Sequence, residues 1–298
     1  MNVLSLFDGI SCSRVALDNL GIKVDNYFAS EIDKHCINVS KKNYPDIIHL
    51  GDINDINLND LPEIELLIGG SPCQDISHAF LGKGLEGSRS SLFHKFVAIK
   101  NKLNPEFFIL ENVKSKWKNE MDKAIGVNGI EMNSRKFSAQ SRPRIYWSNL
   151  KFTEPKHDNF ENIIDILQSN VDRKYFLKKE VQEKLSLHYQ RRNSRSAKIE
   201  KIITANSDQI RDNERQRRIY SIYGKSPTIL ARSDTTKILT KDGIRKLTPL
   251  ECERLQCLPK NYTDCLSDTQ RYKAIGNGFT VDAISHILQN INKSKDFK

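Results

Sequence analysis

The chain has 298 residues, 38% hydrophobic and 28% charged, so it can bury a core and is not broadly disordered. Its net charge is +10. The six cysteines (12, 36, 73, 252, 257 and 265) form no CxxC pair and have no histidines at zinc-finger spacing. That excludes a structural zinc module and fits a reducing, cytoplasmic setting better than a disulfide framework. No stretch approaches the roughly 20 apolar residues of a membrane span. Val3–Phe7 lies too close to Met1 to leave room for a signal or transit peptide, so a soluble cytoplasmic protein is expected.

In chain order, strands are predicted over Asn2–Phe7, Asn26–Ser30, Ile47–Leu50, Glu65–Ile68 and Glu106–Leu110. Helical stretches are predicted near Ser13–Leu20, Asp33–Asn43 and Ser90–Leu103. This alternation points to a doubly wound sheet of mostly parallel strands. Two further strands, Ile130–Phe137 and Arg144–Leu150, have no helix between them and should form an antiparallel hairpin at one edge. Residues 1–150 balance 18 Lys+Arg against 18 Asp+Glu, whereas residues 151–246 hold 22 against 13. That internal third, with Arg191-Arg192, Arg195, Arg211, Arg215, Arg217 and Arg218 among polar residues, fits a phosphate backbone or a solvated lysine-rich face. From Leu247 the ordered pattern returns. Thr248-Pro249 with Glu251 reads as a helix start, and Val281, Ile284, Ile287, Leu288 and Ile291 form one helical stripe. The expected fold is therefore an α/β protein. Residues 1–150 and 247–298 would form a doubly wound, mostly parallel catalytic sheet, with a smaller basic domain, 151–246, inserted.

Ligands of such sheets sit beyond the carboxyl ends of the strands. Phe7-Asp8-Gly9-Ile10 follows the first strand, Glu31 the second and Gly51-Asp52-Ile53 the third. An acid about 20 residues after the first turn is placed to accept ribose hydroxyls. The GxGxxG fingerprint of a dinucleotide site is absent. The fourth strand ends in Gly69-Gly70-Ser71-Pro72-Cys73-Gln74-Asp75, followed by Gly82, Gly84 and Gly87. Most cysteines are small buried hydrophobes, the reading taken for the other five. Cys73, after Gly-Gly and Pro at the functional edge, is instead expected to be an exposed nucleophile. Glu111, ending the fifth strand, puts a carboxylate next to it.

These elements resemble the cytosine-5 DNA methyltransferases. The resemblance is carried, in order, by Phe7-Asp8-Gly9, Glu31, Gly51-Asp52-Ile53, Pro72-Cys73-Gln74, Glu111-Asn112-Val113, Gln140-Ser141-Arg142-Pro143-Arg144, Arg245–Cys252 and Gly276-Asn277-Gly278. It covers both flanks of the chain. It implies attack by the Cys73 thiolate on carbon 6 of a flipped-out cytosine, with Glu111 bonding ring nitrogen 3 and the exocyclic amine. Arg144 would hold the base carbonyl, and Arg142 would support the site or the sugar-phosphate. The implied methyl donor is S-adenosyl-L-methionine, held by Phe7, Asp8, Gly9, Ile10, Glu31, Ile32, Asp52, Ile53, Pro72, Leu92 and Asn277, with no metal. The implied target-recognition domain is the basic segment 151–246. Gln74, Ser77, Arg215, Arg217, Arg218 and Thr228 (in Ser226-Pro227-Thr228-Ile229) are assigned to DNA. The implied partner is double-stranded DNA, bound by a monomer, and the resemblance leaves room for a cognate restriction endonuclease. Ser11-Cys12 stands where a double glycine is common and Ser71 where Phe is usual. Both features, with Tyr146–Leu150, look like the vertebrate de novo enzymes and certain phage enzymes. A tRNA cytosine methyltransferase and a non-catalytic binding partner remain the alternatives.

Overall fold

The computed structural model describes residues 1–72, 90–186, 195–205, 217–233 and 235–291. The chain forms two compact units. One comprises Met1–Asn133, Pro143–Glu154 and Gly278–Lys298; the other comprises Ser134–Arg142 and Pro155–Asn277. These limits differ from the 151–246 insert drawn from charge, because 247–277 and the short stretch 134–142 pack with the basic segment.

The first unit is built on β1 (Asn2–Leu6), α1 (Cys12–Asn19), β2 (Asn26–Ser30), α2 (Lys34–Asn43), β3 (Ile48–Gly51), β4 (Leu66–Gly70), α3 (Ser90–Leu103), β5 (Phe107–Asn112), α4 (Lys118–Ile125) and β6 (Ile130–Asn133). β7 (Gln140–Ser141) belongs to the second unit, and β8 (Pro143–Ser148) returns to the first. The sheet order is β3-β2-β1-β4-β5-β8-β6. β3 to β5 are parallel neighbours in that order, and β8 runs antiparallel to both β5 and β6. The chain winds from β1 towards β3 on one side and from β4 towards β5 on the other, so the topological switch lies between β1 and β4. Val3–Leu6, Leu66–Gly69 and Phe107–Asn112 are buried, as expected for parallel strands covered on both faces. Leu4, Leu6, Leu67, Phe93, Phe96, Phe108, Leu110 and Trp147 share one core.

Local chemistry explains the helix limits. The Asp33 side chain caps α2 by accepting from His35 N at 2.9 Å, and Lys41 and Lys42 lie in its last turn, where cations suit the dipole. The C-terminal helix Val281–Leu288 buries the expected apolar stripe and packs against α1.

The edge hairpin forms as expected from β6 and β8, but Ile130–Phe137 is not one strand. Pairing ends at Asn133 opposite Pro143, which has no N–H to donate, and Ser134–Lys136 turn into a 3-10 helix. Helix α4 was not anticipated. Nor was the second unit's sheet, in which β9 (Lys201–Thr204), β10 (Arg218–Ser221), β12 (Lys237–Thr240) and β13 (Gly243–Lys246) lie in the order β13-β12-β10-β9. Its strands are short, and their apolar pairs, such as Ile202-Ile203 and Ile238-Leu239, are lost among polar neighbours. β11 (Ser226–Pro227) pairs with β7. Helix α5 is Lys179–Ser186. The predicted start of α6 (Pro249–Leu255) is present: Thr248 Oγ1 accepts from Glu251 N, and the Glu251 carboxylate accepts from Thr248 N at 2.8 Å. Helix α7 is Asp268–Asn277. Among the described residues no helix is long and apolar enough to cross a membrane.

Candidate active site

Five parallel strands end on one rim of the first unit, and the loops beyond them carry the expected site residues. After β1 the backbone turns sharply. Phe7, Gly9 and Ser11 have φ of 57°, 59° and 59°, all in the left-handed region. A Cβ at Gly9 would meet nothing within 4 Å, nor would one at Gly51, the last residue of β3, so both strand ends border open space. Glu31 accepts from Gly9 N at 2.8 Å, Ile32 N at 2.8 Å and Asp33 N at 2.7 Å. A carboxylate has about four acceptor positions, so Glu31 keeps one for a ligand. Beside it Ile32 is 73% exposed, an apolar surface on the rim. Asp52 Oδ1 accepts from the backbone and side-chain nitrogens of Asn54 at 2.8 and 2.9 Å. Pro72 and Leu92 are half-buried.

Asp8 faces inward through its side chain. It is 5% exposed, and its carboxyl is turned into the protein, accepting from Ser11 Oγ at 2.5 Å and Tyr27 Oη at 2.7 Å. Its backbone, like those of its neighbours, is what the loop leaves towards the rim. The side chains of Ile10 and Ile53 are likewise buried, Ile53 in the core, which leaves their backbones to face a ligand.

Glu111 and Arg144, the expected catalytic residues, lie where β4, β5 and β8 meet. Glu111 pairs with Gly70 across β4/β5 and with Tyr146 across β5/β8. Because β8 is antiparallel, its beginning lies at the rim where the parallel strands finish. Arg144, two residues before Tyr146, therefore shares Glu111's face of the sheet. Arg144 Nε lies 2.9 Å from Glu111 Oε1, and its Nη1 donates to the Pro143 carbonyl at 2.8 Å. The structure thus engages Arg144 with Glu111 rather than leaving the whole guanidinium for a base. Asn112 donates from Nδ2 to Ser71 Oγ at 2.8 Å and, more weakly, to Ser71 O at 3.3 Å, fixing β4's end two residues before position 73. Cys73, Gln74 and Ser77 lie outside the described residues.

Gly70 is the tightest point. A Cβ there would fall 2.6 Å from Phe279 Cε1 and 3.5 Å from Glu111 Oε2. Gly70→Ala should therefore displace the Phe279 ring or the end of β4, cost about 1–3 kcal/mol of stability and lower turnover at least tenfold. Thermal unfolding alongside single-turnover methylation checks this; unchanged values in both would refute it.

In the second unit, buried Gln140 donates from Nε2 to Leu255 O and Gln256 Oε1, both at 3.1 Å, and accepts from Ile229 N at 2.9 Å. Arg142 is 4% exposed, and its Nη2 donates to Gly276 O at 3.2 Å. That bond ties it to the end of α7, where Asn277 is exposed. Arg218 and Thr228 line one small cavity, and Thr228 Oγ1 donates to Ser141 O at 2.9 Å. Arg217 is half-buried; Arg215 lies outside the described residues. Of the cysteines read as buried, Cys12, Cys36 and Cys252 are, but Cys257 is only partly covered and Cys265 is exposed, because both lie in turns after α6.

The sequence profile of C-5 cytosine-specific DNA methylase matches residues 1–128 and 131–293. The chain belongs to this family. It is 31% identical to the Type II methyltransferase M1.ScrFI of Lactococcus lactis subsp. cremoris, over 98% of this chain and 79% of the relative. It is 27% identical to the Type II methyltransferase M.HhaI of Haemophilus parahaemolyticus, over 100% of this chain and 96% of the relative. The fold matches that of the Entamoeba histolytica methyltransferase EhMeth with a TM-score of 0.73 and 15% identity, covering 100% and 99% of the two chains. The methylase is thus an enzyme of DNA cytosine-5 methylation, and these relatives give the tRNA alternative no added support.

Burial gives the methylase a pH signature at Asp8. Desolvation raises its pKa to about 6, against the hydrogen bonds from Ser11 and Tyr27, which lower it. The folded state therefore holds this proton more tightly than the unfolded chain does. Stability is lost as pH rises from about 4 to about 6, by up to about 3 kcal/mol from this group. Asp8→Asn should flatten that part of the stability–pH curve; a curve with an unaltered slope would contradict the assignment.

Sequence reasoning missed the Phe279 ring against Gly70 and the Tyr27 hydroxyl beneath the loop after β1, and did not foresee how Ser71 and Asn112 interlock. Phe279 directly follows the Gly276-Asn277-Gly278 motif, which was the available signal. Nothing in the local sequence marks Tyr27, whose partner is 19 residues away.

Proposed function

We propose that the methylase transfers the methyl group of S-adenosyl-L-methionine to carbon 5 of a flipped-out cytosine in a specific duplex DNA sequence, with Cys73 as nucleophile. The rim of the first unit suits the donor. Open space borders Gly9 and Gly51, Glu31 retains an acceptor position for the ribose hydroxyls, and Ile32 offers apolar area to the adenine. Asp52 and the backbones of Ile10 and Ile53 would complete the cradle, with Phe7, Pro72 and Leu92. Bound there, the donor supplies an electrophilic methyl on a sulfonium.

The chain's own residues prepare the cytosine. The Cys73 thiolate adds to carbon 6, which breaks the ring's aromaticity and places electron density on carbon 5. Glu111, held on one oxygen by Arg144, stabilises the change at ring nitrogen 3 by hydrogen bonding and proton sharing. After methylation, loss of the carbon 5 proton expels the thiolate and restores the ring. A stacked base cannot enter such a site, so the cytosine must leave the duplex. Arg215, Arg217, Arg218 and Thr228, with Gln74 and Ser77, are the proposed DNA contacts, and the basic segment 151–246 is the proposed target-recognition domain. The Type II names of the relatives support pairing with a cognate restriction endonuclease.

The observation that carries this reading is the Glu111–Arg144 pair on the rim where β4 leads into Pro72-Cys73. Duplex DNA with 5-fluorocytosine at the recognised position should leave a covalent adduct on Cys73, because fluorine cannot depart as the proton does. Bisulfite sequencing of plasmid from expressing cells identifies that position. Intact-mass analysis showing no adduct on Cys73 would refute the mechanism.

A further inference from the structure

Beneath the loop after β1 lies a buried polar cluster that the transfer chemistry does not use. Tyr27 on β2 donates to Asp8 Oδ1 at 2.7 Å, Ser11 Oγ donates to Asp8 Oδ2 at 2.5 Å, and the hydroxyls of Ser11 and Ser40, on α2, are 2.7 Å apart. All four residues are buried. Ser11 precedes α1 at the position where a serine ordinarily caps the helix, yet its side chain makes no cap bond, since its hydroxyl is committed to Asp8 and Ser40. The loop it closes has left-handed φ at two non-glycine residues, Phe7 and Ser11, an unfavourable path that must be held from outside. The holding groups come from three sides: Ser30 O accepts from Asp8 N at 3.0 Å, Tyr27 grips Asp8, and Ser40 reaches Ser11. The same loop then donates from Gly9 N to Glu31, so a shift in its path moves the carboxylate as well.

We infer that Tyr27 and Ser40 are positioning residues for the methyl donor, acting through Asp8 and Ser11 to hold the Phe7–Ile10 backbone and Glu31 in the binding arrangement. This rests on the donor site proposed above. Neither residue reaches the rim itself: both side chains are buried beneath the loop.

Binding of S-adenosyl-L-homocysteine by calorimetry and steady-state methylation of duplex DNA test it, with wild type, Tyr27→Phe, Ser40→Ala and Glu31→Ala compared. Tyr27→Phe and Ser40→Ala each remove one hydroxyl and should weaken donor binding about fivefold. The KM for S-adenosyl-L-methionine should rise in step, while the KM for DNA and kcat at saturating donor stay at wild-type values. Unchanged donor affinity in both variants overturns the inference. So does a matching loss in DNA affinity and kcat, which marks a purely structural role. Glu31→Ala separates the two levels. If it weakens donor binding while the other two do not, only the positioning role fails. If it too leaves binding unchanged, the donor site itself is wrong.

Discussion

Glu111→Gln should lower the rate of methyl transfer by about a hundred- to ten-thousand-fold, the range of a lost acid–base group, while DNA and donor affinities hold within a few-fold. The substitution is nearly isosteric, and the amide oxygen can still accept from Arg144 Nε, now 2.9 Å from Glu111 Oε1. What disappears is the carboxylate's capacity to share a proton with the cytosine ring, while an amide nitrogen now stands towards Gly70. Because Glu111 is only 8% exposed, water cannot readily take over that proton. Removing the partner should act in the same direction. Arg144→Gln leaves the carboxylate without its cation, and a lysine cannot reproduce the planar fork. Rapid-quench single turnover at saturating DNA and donor reads the step directly. A Glu111→Gln rate within threefold of wild type would exclude Glu111 from the chemistry.

Glu251→Gln should destabilise the second unit by about 3–5 kcal/mol, the cost of breaking a buried ion pair from one side. Glu251 is fully buried and accepts four bonds: from Arg245 Nη1 at 2.7 Å, Arg245 Nη2 at 2.8 Å, Thr248 N at 2.8 Å and Gln168 N at 2.9 Å. Every acceptor position of the carboxylate is thereby filled. A glutamine would turn an amide donor towards one of these N–H groups and leave buried Arg245 with half its partner. With a few degrees per kcal/mol for a chain of this size, Tm should fall by about 10 °C. Differential scanning calorimetry checks it; a fall under about 2 °C would show that the pair contributes little.

Much of the strand-end rim was legible in the sequence. The strand endings Phe7-Asp8-Gly9, Glu31, Asp52 and Glu111 stand on one rim because parallel strands finish on the same side, and strand ends are marked locally by glycine and polar residues. Thr248-Pro249 with Glu251 was equally readable, since a capping box closes within four residues. The edge hairpin could be anticipated, but not where its first strand stops, because that depends on Asn133 meeting Pro143.

The sequence by itself determined which residue types follow each strand, and so the chemistry available to the methylase. Only the tertiary structure decided which way those side chains face. Asp8 turns inward because Tyr27 and Ser11 wait beneath it, and Arg144 reaches Glu111 because one strand of seven runs backwards. Turns and caps are closed by neighbours in sequence, whereas the facing of a side chain is set by strand register and by partners tens of residues away, which local pattern does not encode.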